Sequence, residues 1–173
     1  MVPRALEIET PRLRLRPFRE SDLDDLARIN SDAEASRWLN NGKPFTRDDS
    51  WRHIAIYTGH LQMRGYTMLA IEDRKTGQLL GRCGPWFPEG WPMLEVGWLV
   101  DPNRRREGIA TEAALGALDR AFENLEVTEI CSLIRRDNLP SAGVAKKLGA
   151  RFDRVLEDFF GGPTDIWIHT RPE

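Results

Sequence analysis

The sequence predicts a mixed α/β (α+β) domain with one central, mostly antiparallel, twisted sheet of about seven strands and helices on both faces. Three observations predict it. Short runs of β-type residues alternate along the chain with longer runs that have helical spacing. The 173 residues contain no repeat and no Gly/Ser/Pro-rich linker. Hydrophobic residues make up 40% and charged residues 30%, as in globular proteins. We therefore interpret residues 1–173 as a single domain.

The first half of the chain is predicted to contain a strand, two helices and three further strands. Residues 12–16 alternate arginine and leucine, which is typical of a half-exposed strand. Ser21 is the expected N-cap of a first helix that ends near Asn30. Thr46 is the expected start of a second helix, which ends at residue 62 or 63. The three strands, which such meanders usually pair antiparallel, are predicted at residues 66–73, 79–87 and 93–100.

The second half is predicted to contain two helices, a strand between them and a final hairpin. Apolar residues fall on one face of a long helix over 109–124, and Gly149 stands where a shorter helix over 138–147 would stop. The remaining strands are predicted at residues 127–134, 152–159 and 164–170. The element order is therefore β-α-α-β-β-β-α-β-α-β-β.

The charge, the cysteines and the hydropathy exclude several classes of partner. A net charge of −2 gives no general attraction to nucleic acid or to an anionic membrane. The N-terminus lacks the apolar core of a signal peptide, and no apolar run reaches the ~20 residues of a membrane span. Cys83 and Cys131 show no metal-binding spacing and are interpreted as buried hydrophobes. We expect a cytoplasmic protein with no bound metal.

The most informative segment is a basic loop between a strand and the long helix. Arg104, Arg105 and Arg106 precede Gly108, and the helix begins at Ile109. The first amides of a helix lack internal partners and carry the positive end of its dipole, so they can bind a phosphate. The glycine lets a phosphate approach the backbone, and the arginines add positive charge. The loop has neither the Walker pattern nor the dinucleotide fingerprint, and the alternative is a solvated turn.

Three motifs give a more specific indication. The pattern Arg105-x-x-Gly108-x-Ala110 resembles the acetyl-CoA signature of the GNAT superfamily of N-acetyltransferases, and the element order is also similar to that family's order. Residues 10–16 resemble the branch of the ribosomal-protein N-terminal acetyltransferases (RimJ/RimL-like). Asn138-x-x-Ser141, followed by residues 145–149, resembles the second cofactor element of that branch.

This resemblance implies a GNAT fold and a set of residues that bind acetyl-CoA. The backbone of Trp98, Leu99 and Val100 would pair with the pantetheine arm like an added strand. Asn138 would bond that arm from the next strand-helix junction, and Ser141 would lie near the sulfur. The diphosphate would be held by the loop that contains Arg105, through the amides of Arg106, Glu107, Gly108, Ile109, Ala110 and Thr111.

The resemblance also implies direct acetyl transfer to a primary amine, for which no protein nucleophile is needed. Glu95 is the candidate base, with a structural hydrogen bond as its alternative role, and an amide of Leu99 or Val100 is the candidate oxyanion donor. The family's usual tyrosine acid is replaced by Ala145, so Ser141 is the candidate acid. Four aromatic residues are candidate walls of the acceptor pocket: Tyr66, Trp86, Phe87 and Trp91.

Several alternatives remain open at this level. The expected acceptor is a protein N-terminus or a small amine. An acidic groove would favour a polyamine or a basic peptide, whereas a closed aromatic pocket would favour a small molecule. The missing tyrosine motivates a second hypothesis, a non-catalytic acyl-CoA-binding module. An unrelated nucleotide-binding protein is a third. The turn at residues 159–162 is a candidate exposed edge, so both a monomer and a homodimer are compatible with the sequence.

Overall fold

The computed structural model describes residues 7–159 and 161–171, and at Asn41 the backbone alone. Its described part contains eight strands in a single sheet. The strands are β1 (Ile8–Glu9), β2 (Leu13–Arg16), β3 (Leu69–Asp73), β4 (Leu79–Trp86), β5 (Glu95–Val100), β6 (Glu129–Arg135), β7 (Arg151–Leu156) and β8 (Thr164–Thr170). Their order across the sheet is β1-β2-β3-β4-β5-β6-β8-β7. Every neighbouring pair is antiparallel except β5 and β6, which are parallel.

Helices cover both faces of this sheet. They are α1 (Leu23–Asn30), α2 (Ala33–Ser36), α3 (Arg47–Arg64), α4 (Ile109–Asn124) and α5 (Leu139–Lys147). The apolar side of α4 packs in the largest core cluster, with Leu15, Ile71 and Val96 of the strands. On the opposite face, Leu26 of α1 and Ile54 of α3 pack with Ala70 and Leu99. Because strand residues alternate in direction, one sheet supplies both cores. None of the helices in the described ranges combines the length and the apolar character needed to cross a bilayer.

The fold class predicted from the sequence is confirmed, and the helix over 109–124 and the strand over 164–170 have the predicted bounds. The other predicted bounds differ from the observed ones by one to three residues, and a strand and a short helix were missed. The sheet has eight strands in the described part because the two-residue strand β1, which pairs Ile8 with Leu15, was too short to recognise. The short helix α2 was also missed. Finally, Phe160 of the candidate edge at residues 159–162 lies outside the described residues.

The first two helix starts illustrate what capping residues can and cannot predict. Thr46 caps α3 as predicted: its hydroxyl accepts from the Asp49 amide at 3.1 Å, and the Asp49 carboxylate accepts from the Thr46 amide at 3.0 Å. The prediction that Ser21 caps α1 is wrong. The carboxylate of Asp22 accepts from the backbone of Arg19 at 2.7 Å, which stabilises a short 3-10 turn before α1 begins at Leu23.

A buried ion-pair network joins β2 and β3 to the start of α1. Arg16, which the alternating pattern placed on a half-exposed strand, is 3% exposed. Its guanidinium donates to both carboxylate oxygens of Asp22, at 2.8 and 2.9 Å, and to Glu72 at 2.6 Å. Burial alone would lower the pKa of Arg16, but the hydrogen bonds and charges of Asp22 and Glu72 raise it above its ordinary value. The network fixes α1 against the sheet.

We therefore expect Arg16→Met to lower the free energy of unfolding by about 3–5 kcal/mol, because two buried carboxylates would lose their counter-ion. Arg14→Met is the matched control. Arg14 lies on the same strand and also contacts Glu72, at 3.3 Å, but its side chain is 37% exposed. Its loss should cost less than about 1 kcal/mol. Urea denaturation measures both values, and equal losses in the two variants would contradict the assignment.

Candidate active site

The sheet is split between β5 and β6. The two parallel strands have one register pair, Glu95 with Cys131, and the Cys131 amide donates to the Leu94 carbonyl at 2.9 Å. One residue further on, the buried Ser132 hydroxyl donates to the Val96 carbonyl at 2.8 Å. No further register pair joins the two strands in the described part of the chain. The carboxyl-terminal half of β5 therefore has a strand partner on its β4 side alone, and a gap opens toward β6.

Helix α4 begins just beyond the open end of β5. Gly108 is its N-cap residue, with a left-handed φ of 80°, and no side chain caps this end. Arg106 also has a left-handed backbone, with a φ of 67°. Within the described residues, the amides of residues 107–111 have no backbone partner outside the helix, since the first capping bond is made by the Glu112 amide to Gly108. This arrangement can bind an anion through backbone N–H groups.

The arginines of this loop carry less free charge than the sequence suggested. Arg104 is ion-paired with Glu107 at 2.9 Å. Arg105 is ion-paired with Asp32 and, at 2.6 Å, with Glu34. Two of the three arginines are thus paired with carboxylates, and Arg106 is the one that makes no ion pair with described residues. The Arg105 pairs also tie the loop to the segment that contains α2.

The start of α5 supplies polar groups on the other side of the gap. Asn138 caps this helix, and its side-chain oxygen accepts from the Ser141 amide at 3.2 Å. The Asn138 amide nitrogen and the Ser141 hydroxyl make no hydrogen bond with the described part of the protein, and both residues line the cavity described next. Ala145, by contrast, is fully buried in a cluster with Ile134 and Trp167, so no hydroxyl reaches the cavity from that position.

A cavity of about 370 Å³ lies where the split meets the face of the sheet that carries α3. It is lined by residues of α3, β4, β5, β6 and the start of α5. Most of its wall is apolar, and seven of the described lining residues are aromatic: Trp38, Phe45, Tyr57, Trp86, Trp91, Trp98 and Phe159. Its charged wall residues are Glu95, Arg82 and Arg135. This volume and lining are typical of a site for a small molecule.

Glu95 is the one carboxylate among the described wall residues. Its Oε2 accepts a hydrogen bond of 2.5 Å from the indole nitrogen of Trp91. Burial raises the pKa of Glu95 to about 7, and the Trp91 hydrogen bond and the Arg82 charge oppose that shift without cancelling it. A carboxyl with this pKa can exchange a proton near neutral pH. A side chain at Gly97 would displace it, since a Cβ there would lie 2.9 Å from Glu95 Oε1.

The aromatic residues predicted for the acceptor pocket fall into two groups. Trp86 and Trp91 line the cavity with their rings 6.3 Å apart. Tyr66 and Phe87 do not line it. Both pack against the main core, Tyr66 borders a separate groove of about 70 Å³ beside α4, and the Arg64 guanidinium lies 5.9 Å from the Phe87 ring.

Several cavity residues were missed by sequence reasoning, among them Arg82, His53 and Tyr57. Arg82 has a recognisable signal in retrospect, since it lies four residues before Trp86 in the same strand and so faces the same side. His53 and Tyr57 come from the middle of α3, where nothing in the local sequence marks them. Burial, followed by the Arg82 charge, lowers the pKa of His53 to about 4, so its imidazole is neutral at neutral pH.

The other histidines have structural contacts. His60 Nδ1 lies 2.8 Å from the Tyr66 carbonyl, and its ring stacks on Trp86 at 4.4 Å. His169 Nε2 lies 3.0 Å from the Ser132 hydroxyl, and burial lowers the pKa of His169 to about 4. Among the described residues, no group of three His, Cys, Asp or Glu side chains is placed to hold a metal ion.

Comparison with known proteins identifies the family. Residues 12–151 match the model of the acetyltransferase (GNAT) domain. The uncharacterized N-acetyltransferase YnaD of Bacillus subtilis is 28% identical over 94% of this chain and 92% of its own length. The crystal structure of an acetyltransferase from Agrobacterium tumefaciens superposes with a TM-score of 0.85 at 25% identity, over 99% of this chain and 96% of that one.

A more distant likeness extends to a cofactor complex. The ribosomal alpha-N-protein acetyltransferase RimL, in complex with coenzyme A, has a TM-score of 0.79 at 15% identity, over 95% of this chain and 97% of that one. At this identity the likeness shows the shared fold. The family match covers the split strands, the loop before α4 and the start of α5, and these are the elements from which the site is built. The chain belongs to the GNAT family of acetyltransferases.

Proposed function

We propose that this protein is an acetyl-CoA-dependent N-acetyltransferase in which a primary amine attacks the thioester directly. One observation carries the proposal: Glu95, a carboxyl with a pKa of about 7, lines a small cavity beside the split in the sheet. An amine acceptor must lose a proton before it attacks, and a base is most effective when its pKa lies near the working pH. The family transfers acyl groups from acetyl-CoA, which agrees with this chemistry.

The cofactor would be held by backbone groups at the open end of the split. The free amides before and at the start of α4, over residues 106–111, suit the diphosphate, and Arg105 would support the loop through its ion pairs. The backbone of Trp98, Leu99 and Val100 would pair with the pantetheine arm across the gap. Asn138, at the start of α5, would form a hydrogen bond with the same arm. Acetyl-CoA, when bound, supplies the activated acetyl group.

The chain's own groups then handle the protons and the charge of the transfer. Glu95 takes a proton from the amine, directly or through a water molecule, and the Trp91 hydrogen bond holds its carboxylate in place. An amide of Leu99 or Val100 would donate to the developing oxyanion. The hydroxyl of Ser141, which has no partner among the described residues and borders the cavity, would protonate the leaving thiolate.

A second function is favoured by one observation, the burial of Ala145 at the position where many family members carry a tyrosine. Without that acid, the protein could be a non-catalytic acyl-CoA-binding module. The two functions differ in a simple assay. The module binds acetyl-CoA and releases no free CoA with any amine, whereas the enzyme releases CoA in step with N-acetylation.

The cofactor site is tested by thermal melting with and without acetyl-CoA. At a hundredfold excess over the dissociation constant, the ligand adds ~2.7 kcal/mol, or roughly 5–11 °C for a domain of this size. Gly108→Glu should abolish the rise because it places bulk and negative charge in the anion site. Gly65→Glu is the control, since Gly65 has the same left-handed backbone, at 79°, and open space around it. A rise retained in Gly108→Glu would remove the loop from the cofactor site.

The base is tested by the pH dependence of turnover. Because Glu95 must be ionised to accept a proton, kcat/KM should fall as the pH drops through about 7. Glu95→Gln should lower kcat by roughly 10²-fold or more and flatten that limb, while the acetyl-CoA melting shift stays unchanged. A variant with wild-type turnover and an unaltered pH profile would show that Glu95 is not the base.

The same raised pKa predicts a cost in stability. The carboxyl of Glu95 ionises near pH 4.5 when unfolded and near 7 when folded, so the native state loses stability between these two values as the pH rises. We expect Glu95→Gln to melt several degrees above the wild type at pH 8, with the difference closing toward pH 4.5. Calorimetry at both pH values measures it. A difference that does not change with pH would contradict the assigned pKa.

A further inference from the structure

Arg82 is a cation in the wall of the cavity. It lies in β4, half-buried, and its Nε–H is inaccessible to solvent and donates to no acceptor among the described residues. The guanidinium makes no hydrogen bond or ion pair within the part of the chain that the structure describes. Arg16, two strands away, is more deeply buried and holds two carboxylates. A shielded guanidinium with unused donors is costly, which indicates that a ligand supplies the missing acceptor.

The register of β4 and β5 places Arg82 and Glu95 on one face. Arg82 is opposite Leu99, and Trp86 is opposite Glu95. Since strand residues alternate in direction, steps of two along each strand keep these four residues on the same side of the sheet. The two charged groups are thus four ladder positions apart, and they approach the cavity from opposite ends. The charge of Arg82 is close enough to Glu95 to lower its pKa against the effect of burial.

The floor between these two groups carries no side chain. The pair midway between them is Gly84 with Gly97. A Cβ at Gly97 would meet the Met68 methyl at 2.8 Å and the Glu95 carboxylate at 2.9 Å, so the space above this position is already shared. The missing side chain at Gly97 therefore makes room for the Met68 methyl and the Glu95 carboxylate at this end of the cavity.

The rest of the wall indicates the body of the ligand. It is mostly apolar, with several aromatic rings, and its charged groups among the described residues are one carboxylate and two guanidinium groups. His53 is neutral at neutral pH. A polyamine or a basic peptide needs several carboxylates around it, and this wall offers one. An apolar molecule with a single anionic group is complementary to it.

We propose, on the basis of the N-acetyltransferase function above, that the acceptor is a small amino acid-like molecule with an apolar or aromatic body, and that Arg82 binds its carboxylate. The amine then faces Glu95 and the body packs against the aromatic wall. A carboxylate suits the site better than a phosphate. The Arg82 guanidinium can neutralise the single charge of a carboxylate through two parallel hydrogen bonds, whereas it would neutralise only half the charge of a phosphate dianion.

The transfer balances with these groups. The amine nitrogen forms a bond to the thioester carbonyl carbon, and the bond from that carbon to sulfur breaks. The ammonium group of the acceptor gives up two protons in all. Glu95 accepts the first and passes it to solvent, and the second, lost as the amide forms, replaces the proton that Ser141 gives to the thiolate, which becomes the free thiol of CoA. The products are the N-acetyl amino acid and CoA, with the carboxylate unchanged and still paired with Arg82.

The test compares L-phenylalanine with phenethylamine, which is the same molecule without its carboxylate. With saturating acetyl-CoA, the wild type should release CoA with a kcat/KM for L-phenylalanine that is roughly 10²-fold or more above its kcat/KM for phenethylamine. Arg82→Met should remove most of that preference, mainly through KM, so that the ratio of kcat/KM for L-phenylalanine to kcat/KM for phenethylamine falls toward 1. Arg82→Lys, which keeps the charge but not the bidentate geometry, should fall between the two. L-Leucine and L-methionine extend the comparison to aliphatic bodies.

The outcomes separate this inference from the function on which it rests. Suppose that phenethylamine, spermidine or a peptide with a free N-terminal amine is acetylated as efficiently as the amino acids, and that Arg82→Met changes no rate. The carboxylate site is then refuted, while the N-acetyltransferase function stands. If acetyl-CoA raises the melting temperature but no amine releases CoA, the N-acetyltransferase itself is refuted and the inference falls with it. The preference of the wild type for the carboxylate is decisive even if the variants fail to fold.

Discussion

The early end of the hydrogen-bonded ladder between β5 and β6 is the constraint on which the rest of the site depends. The strands pair at Glu95 and Cys131 and then separate, and the Ser132 hydroxyl caps one carbonyl at the fork. Unpaired backbone is expensive in a protein interior, so a split of this kind needs a partner. The start of α4, which no side chain caps, lies at its open end, and the acidic group with the shifted pKa lies at its closed end, at Glu95.

The parts of the site that are local in sequence could be predicted, and the parts assembled across the fold could not. The loop before α4 and the start of α5 have short motifs, so the spacing of their residues along the chain carries the information. The acceptor cavity is different. Arg82 and His53 are separated by 29 positions, and their meeting depends on how α3 packs over β4. Phe87 follows Trp86 directly in sequence, and Tyr66 comes just before the same meander of strands, but neither side chain lines the cavity.

The fold shows the same division. Both ends of α4 follow from a left-handed glycine and an amphipathic pattern, and both were predicted. The start of α1 was not predicted. Whether Ser21 or Asp22 precedes the helix depends on Arg16 of β2, whose guanidinium donates to the Asp22 carboxylate. The burial of Arg16 itself contradicts the simple alternation of its strand. Tertiary ion pairs overrode local propensity in each of these cases.

The two cysteines have a practical consequence. Cys83 and Cys131 are both fully buried in the sheet and unbonded, and burial raises the pKa of both thiols. Thiol-disulfide reagents react with accessible thiolates, so the native protein is nearly silent toward them. A chromogenic disulfide added to the folded enzyme therefore reacts with the thiol of released coenzyme with little background from the protein. In denaturant the same reagent reacts with two protein thiols per chain, so it also reports the global unfolding of the protein.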